Sequence, residues 1–319
     1  MYGLGANALD ARAVARIFEA KGRPSTSPLI VHVASIEMAR ELAAEWPAAA
    51  EALARRYWPG PLTLVVRKQP AVPDIVTAGL GTVGLRVPSH PIALELIRQS
   101  GVPIAAPSAN RFSQISPTTA GHVREGLGAA VDLILDGGPT QVGIESTVLS
   151  LVGTPVLLRS GMISQREIEE WIGPVEVAAD AGEGSHPSPG MHRRHYSPRT
   201  PLVLVRCGRV PERGRGAYLG FADQAAAPAE AVKQFGDTPG SPCGTSTLQC
   251  PQACPPELFD SSAVRVVRMP LDAAKYAAML YETLHMLDRE GLDWIAAELP
   301  PEGAEWAGIA DRLKRAAVK

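Results

Sequence analysis

Between residues 29 and 172 short apolar runs, too brief for buried helices, alternate with amphipathic stretches, and Gly or Pro stands at most of the junctions. That rhythm leaves few architectures open. The runs LIVHVA (29–34), LTLVV (62–66), TVGLRV (82–87), PIAA (103–106), DLILD (132–136), STVLSLV (146–152) and PVLLR (155–159) are rich in β-branched residues and read as strands. Helices are expected over 10–20, 37–46, 48–57, 91–100 and 118–127. Asp10 is placed to cap the first of them, Val14, Ile17 and Phe18 share its apolar face, and Gly22 follows as a stop. Ser35 is a second expected cap, and Ser164 with Glu167 forms a capping box for a helix ending near Ile172. Strands and helices interspersed in this way predict an α/β domain built on a large, twisted, mixed sheet.

The pattern stops at Ala181. The segment AGEGSHPSPGMHRRHYSPRTP is rich in Gly, Ser, Pro and basic residues without apolar periodicity, and reads as an interdomain linker. Strands resume at PLVLVRC (201–207), AYLGF (217–221) and VRVVRMP (264–270), with a polar, irregular stretch over 223–262. A long helix near 271–289, Gly291 as its stop, a strand at 292–299 and a helix near 304–317 complete the chain. This order predicts a small parallel, Rossmann-like α/β sheet. The expected organisation is a catalytic domain over 1–181, a linker or lid over 182–200 and a second domain over 201–319. A chain of 319 residues is longer than one core usually organises.

With 31 Lys and Arg against 33 Asp and Glu, the net charge of −2 argues against binding nucleic acid or an anionic membrane over the whole surface. No stretch approaches the ~20 apolar residues of a membrane helix. The N-terminal MYGLGANALD lacks the basic and apolar regions of a secretory signal, so a soluble, cytoplasmic protein is expected. Cys207, Cys243, Cys250 and Cys254 form no CxxC pair and read as free thiols.

Four stretches carry residues suited to chemistry. In KGRPSTSPL (21–29) Lys21 and Arg23 follow a helix end, a point charge beside a planar fork, which suits adjacent phosphates, although on its own the stretch reads first as a solvated basic turn. In APSANRFSQISPTTAGHV (106–123) Ser108, Asn110, Ser113 and Ser116 stand between a strand end and a helix start, as an anion cradle or as plain turn chemistry. Arg86 lies within an apolar strand and needs an anionic partner, either a ligand carboxylate or a structural acid. Ser146 and Thr147 open a strand, and His32 sits on an apolar one, where a satisfied core histidine is the plain alternative. Neither a GxxxxGK[ST] loop nor a GxGxxG follows a strand, and no nucleophile–base order stands out. Positioning and charge neutralisation are the chemistry these residues offer.

In this order and spacing, YGLGANAL (2–9), KGRPSTSPLIVHV (21–33), WPGPLTLVV (58–66), VGLRVPSHP (83–91), APSANRFSQISPTTAGHV (106–123), GIESTVLS (143–150) and LLRSGMIS (157–164) resemble the threonylcarbamoyl-AMP synthase family, which carries a YrdC-type domain. SPGMHRRHYSPRTPL (188–202) and IADRLKRAA (309–317) resemble its longer, two-domain branch. The resemblance implies an enzyme that joins L-threonine, bicarbonate and ATP, with Mg²⁺, into threonylcarbamoyl-adenylate and releases pyrophosphate. The product passes to the machinery that modifies tRNA with threonylcarbamoyladenosine. By similarity, Lys21, Arg23, Ser108 and Asn110 surround the ATP phosphates, Lys21 and Arg23 being catalytic. Ser27, Thr82, Ser116, Arg159 and the linker's Tyr196 match further nucleotide contacts. His32, Arg86, Ser146 and the backbone at Ala106 match positions around threonine.

The family pattern carries a helix and a strand ahead of Tyr2, with a threonine two positions before that tyrosine. The sequence here starts at Met1, which predicts lower stability and weaker threonine binding than in an upstream-extended chain. Two other functions stay open at this point. One is a non-catalytic RNA-binding module with a local basic surface; the other is a carbamoyl-adenylate enzyme of the hydrogenase-maturation type, although zinc-finger cysteine pairs are missing.

Overall fold

The structure, a computed structural model, describes residues 1–178, 195–206, 208, 210–211, 213–221 and 264–318. The expected strand at 132–136 does not form. That stretch runs over the surface without sheet pairing, and Leu133 is 76% exposed. Asp132 instead meets Arg16 in a solvent-exposed ion pair, while Ile134 is drawn into a small cluster with Ala109 and Val123. An apolar run makes a strand only where a sheet edge is in reach to pair its backbone.

The first unit holds β1 (Ala6–Asn7), α1 (Ala11–Lys21), β2 (Ile30–His32), α2 (Ile36–Leu42), α3 (Ala48–Tyr57), β3 (Leu62–Arg67), α4 (Asp74–Thr77) and β4 (Thr82–Arg86). It continues with α5 (Pro91–Ser100), β5 (Ile104–Ala105), α6 (Ala120–Leu127), β6 (Thr147–Ser150), β7 (Val156–Arg159), α7 (Gln165–Ile172) and β8 (Glu176–Val177). The helix ends obey local chemistry. Asp10 accepts the amides of Arg12 and Ala13, Gly22 closes α1 at φ 60°, and Ser35 caps α2. Both arms of the Ser164/Glu167 capping box are made at α7. β1, β8 and the short α4 have too few residues to show a period in the sequence.

Eight strands form one mixed sheet in the order β1-β5-β2-β4-β3-β6-β7-β8. β2 runs parallel to β4 and β3 to β6, while β3 and β4 are antiparallel. Because side chains alternate along a strand, each strand divides its residues between two faces. Val31, Leu62, Leu64, Val66, Val83, Leu85 and Leu149 turn to the helices, packing with Val14, Ile17 and Phe18 of α1, Leu53 of α3 and Ile168 of α7. The opposite face keeps Ile30, Thr63, Val65, Thr82, Gly84 and Val148 around a hollow. Gly84 keeps that face low: a Cβ there would lie 3.3 Å from Thr63 Cγ2.

The second unit is a four-stranded parallel sheet, β11 (Val264–Met269), β10 (Gly216–Phe221), β12 (Trp294–Glu298) and β9 (Leu202–Val205) in spatial order. Helices α8 (Ala273–Asp288) and α9 (Ala307–Ala316) cover it. Its core does not stop at the unit's edge: Ile115 and Ile144 of the first unit are buried in it with Tyr196, Leu280 and Ile309. Along the seam His122 of α6 stacks on His285 of α8 at 3.8 Å, Thr118 donates to Glu282 at 2.7 Å, and Arg289 pairs with Glu125 at 2.7 Å. The backbones come close at Gly143, where a Cβ would lie 2.0 Å from the Ala277 carbonyl oxygen, and at Gly308, where it would lie 2.9 Å from the Gly161 carbonyl.

Gly143→Ala should therefore push α8 away from the loop that carries residue 143 and lower stability by about 1–3 kcal/mol, the cost of overpacking a close contact. Thermal melts with limited proteolysis across the seam measure it, and an unchanged melt would show that α8 yields freely.

Candidate active site

The site is assembled where α1 ends against the loop after β5. Lys21, the last residue of α1, is only 3% exposed. Its Nζ donates to the carbonyl oxygens of Ser108 at 2.6 Å and Asn110 at 2.5 Å and to Asn110 Oδ1 at 3.3 Å. The Phe112 amide closes the junction on the Lys21 carbonyl at 2.9 Å. Arg23 is 7% exposed and its Nη2 donates to Ser27 Oγ at 2.5 Å and the Pro28 carbonyl at 3.1 Å. The solvated basic turn is thereby excluded, because both cations lie inside the protein. The pattern hid this: the chain turns inward at Gly22, so a residue after a helix end that reads as surface is buried by the Ser108–Asn110 loop.

The open face of the sheet adds two more arginines. Arg86, at the end of β4, donates from Nε to the Gly60 carbonyl at 2.8 Å and forms no ion pair among the described residues. Arg159, at the end of β7, donates from Nε to the Ser146 carbonyl at 3.0 Å and from Nη2 to Ser146 Oγ at 3.1 Å. Ser146 Oγ also meets Thr63 Oγ1 at 2.8 Å, a neighbour on β3 that the sequence reading did not single out. Thr82 lies at the far end of β4 beside the hollow. Ala106 donates its amide to the Ile30 carbonyl, so its carbonyl is the group it can offer.

These cations repel one another. Burial holds Lys21 well below the ordinary lysine value, and Arg23 lowers it further. Burial, with the charge of Arg159, brings Arg23 down to about 10. Arg86 is brought to about 10 by burial and by Arg159, and Arg159 is itself lowered by burial. His32, on β2, is held down to about 3 by burial and then by Arg86, so its imidazole is neutral at physiological pH. Three buried polar atoms face this cluster without a partner: Arg23 Nε, His32 Nδ1 and Tyr196 Oη. His32 is met by the backbone at Ile104 and Ile30, yet its Nδ1 is left without a partner. Buried polar groups are normally paired, so donors and cations left together in a hollow mark a place built for a polar, anionic ligand.

The second unit closes the mouth. Residues 182–194 of the expected linker or lid lie outside the described residues, but 195–200 are packed. Tyr196 takes φ 62° and is buried, stacking on Tyr281 at 5.8 Å and lying under the Arg312 guanidinium at 5.3 Å. The Ser197 amide donates to the Ser113 carbonyl at 2.9 Å. Glu145 is the residue that the sequence reading passed over. It accepts Ser116 Oγ at 2.8 Å on one oxygen, and Arg312 Nε at 2.6 Å and Tyr281 Oη at 2.9 Å on the other. Burial would raise its carboxyl, but the Arg312 charge overcomes that and holds it below the ordinary range. Its signal was its place beside Ser146 within GIESTVLS; an isolated glutamate there carries no local pattern. Contacts join Ser27 to Arg23, Ser108 and Asn110 to Lys21, Ser116 to Glu145 and Ser146 to Arg159, while His32 and Arg86 stand opposite each other on the paired strands β2 and β4. Ser108 Oγ is turned onto Asn110 Oδ1 at 2.5 Å.

Two family models divide the chain: residues 1–161 match the Sua5/YciO/YrdC family described as "Telomere recombination", and residues 163–318 match "Threonylcarbamoyl-AMP synthase, C-terminal domain". Threonylcarbamoyl-AMP synthase of Pyrococcus abyssi is 40% identical, the match covering 99% of this chain and 87% of that one. The Bacillus subtilis protein of the same name is 41% identical with the same coverage. Among solved structures, that of P. abyssi Sua5 complexed with L-threonine matches with a TM-score of 0.80 and 37% identity, over 99% of this chain and 87% of that one. The two-sheet α/β architecture is common to both. This chain belongs to the threonylcarbamoyl-AMP synthase family, in the form that carries the C-terminal domain.

Proposed function

We propose that this threonylcarbamoyl-AMP synthase joins L-threonine, bicarbonate and ATP into L-threonylcarbamoyladenylate, releasing pyrophosphate, and so supplies the machinery that modifies tRNA with threonylcarbamoyladenosine. The observation that carries the reading is the row of mutually repelling cations, Lys21, Arg23 and Arg159 buried and Arg86 half-buried, bordered by unpartnered polar atoms. Two anions of different size account for it. The triphosphate takes Lys21, Arg23 and Arg159, with Ser27, Thr82, Ser108, Asn110 and Ser116 as polar neighbours. The threonine carboxylate takes Arg86, and the ligand in the P. abyssi relative is L-threonine.

The neutral His32 then accepts a hydrogen bond from threonine through Nδ1, near Ser146 and the Ala106 carbonyl. The threonine amine forms an N–C bond to the bicarbonate carbon, water leaves, and a carbamate results. A carbamate oxygen attacks the α-phosphorus and the bond to the β-phosphate oxygen breaks, so pyrophosphate departs; this is nucleotidyl transfer. The residues do no covalent work. Lys21, Arg23 and Arg159 take up charge as the leaving group forms, and fixed donors in a dry site are worth more than in water. Tyr196, buried at the mouth, keeps water from the adenylate. Mg²⁺ accompanies the ATP. The described residues contain no grouping of three or more His, Cys, Asp or Glu able to hold a metal ion. No helix among the described residues is long and apolar enough to cross a membrane.

Pyrophosphate release requiring both L-threonine and bicarbonate is the decisive assay; release that ignores either one overturns the proposal. In that assay Arg23→Ala should lower turnover by roughly 10²–10³, the cost of one preorganised charge contact. Near-normal turnover would remove Arg23 from the phosphate site.

Proton uptake gives a second check. Lys21 is depressed in the free protein, so a bound polyanion raises its pKa and the lysine gains a proton between the two values. Affinity for ATP should therefore fall as pH rises through that window. Above pH ~8, beyond the phosphate's own second ionisation near 6, calorimetry in buffers of different ionisation enthalpy should record proton uptake on binding. Lys21→Met should abolish it; uptake that persists in the variant would assign the proton elsewhere.

A further inference from the structure

Among the described residues the buried carboxylates are Glu145 and Glu298, and Glu298 belongs to the second sheet, bound by Tyr218 Oη at 2.7 Å and the Gly208 amide at 3.2 Å. Glu145 is therefore the one buried acid at the cationic mouth. It adjoins Ser146, and Arg159 binds Ser146 through both its carbonyl and its hydroxyl. A carboxylate so placed is an internal competitor for the cations that an anionic ligand must meet. What restrains it comes mostly from the second unit. Arg312, 1% exposed, holds Glu145 Oε2 through Nε and reaches the Glu145 carbonyl with Nη2 at 3.4 Å. Its Nη1 is anchored on Asp311 at 2.6 Å, Asp311 is held in turn by Arg315 at 2.8 Å, and Tyr281 supplies a second donor to the same Glu145 oxygen. The seam glycines keep α9 within reach, since Gly308 sits on the Gly161 backbone.

We propose that Arg312 is a positioning residue for the anion site: it sequesters the Glu145 carboxylate on the second unit, so that this acid does not compete with a polyphosphate for the Arg159 charge. The second unit thus sets the electrostatics of a site whose cations all belong to the first. This rests on the reading of the cationic row as the triphosphate subsite, and inorganic pyrophosphate serves as a probe that needs no adenine pocket. Stability alone is a weak reason for such a pair, because a buried ion pair often contributes no more than a neutral pair of similar volume.

The test is calorimetric titration of the full chain with pyrophosphate, ATP and L-threonine. Arg312→Met should weaken pyrophosphate and ATP by about ten- to a hundredfold, the scale of one charge-assisted contact, while changing threonine affinity less than threefold. Adding Glu145→Gln in the same chain should restore most of the loss, because the competitor is then neutral. Glu145→Gln alone should bind pyrophosphate at least as tightly as the unaltered chain, and it carries the test if Arg312→Met does not fold. Arg312→Met with unchanged pyrophosphate affinity, a double variant no better than Arg312→Met, or weaker binding by Glu145→Gln would each overturn the proposal in favour of plain structural support. If the unaltered chain binds pyrophosphate but not ATP, the adenylate reading falls and the sequestration stands on the variants; if it binds neither, both fall.

Discussion

One buried carboxylate joins the halves of this protein. Glu145 belongs to the first unit by sequence but is held by Arg312 and Tyr281 of the second, and its remaining oxygen takes Ser116 from the loop that also carries Ser108 and Asn110. Removing either partner of such a pair leaves an uncompensated charge inside the protein, at a cost of about 3–5 kcal/mol. The pair therefore binds the docking of the units to the state of the site. Apolar burial of Ile115 and Ile144 in the second core and the close backbone approaches at Gly143 and Gly308 make the same docking tight.

The division of the first sheet into two faces follows from strand periodicity alone, yet it separates two physical tasks. The helix-covered face supplies the apolar burial that offsets chain entropy. The other face is left open, with Ile30, Val65 and Val148 beside Thr63 and Thr82 over its hollow and cations at its rim, where desolvation opposes every charge it carries. Lys21, Arg23, Arg86 and Arg159 are all depressed, and burial is the leading cause in each case. A protein keeps such groups together only when the surrounding packing over-determines their positions. Lys21 is fixed by carbonyls of the Ser108–Asn110 loop, and Arg159 by Ser146 on the neighbouring strand. An anion that bound only this folded state would recover stability spent in this way.

Much of this was legible in the chain itself. The caps at Asp10, Ser35 and Ser164, the stop at Gly22 and the strands at β3, β4, β6 and β7 arise from neighbours a few residues apart, so their signals are local. The order of the Lys21, Ser108 and Ser146 motifs pointed to the family, and several of the residues so picked out touch one another, Lys21 with Ser108 and Asn110, Arg23 with Ser27, and Arg159 with Ser146. The strand expected at 132–136 failed because strand formation depends on a pairing edge that its own residues cannot provide. Burial was the other blind spot. Lys21 and Arg23 on their own read first as a solvated turn, and His32 as a satisfied core residue, because exposure depends on what a distant loop does.

The sequence alone determined the element types, the helix ends, the parallel grammar of the second unit and the inventory of cations and hydroxyls, since each depends on periodicity or on side chains within a turn of one another. Only the tertiary structure decided which of those cations lose their water, which face of the sheet stays open, and that Arg312 answers Glu145 across 167 positions of chain. Desolvation and long-range pairing come from segments brought together by packing, and no local pattern carries them.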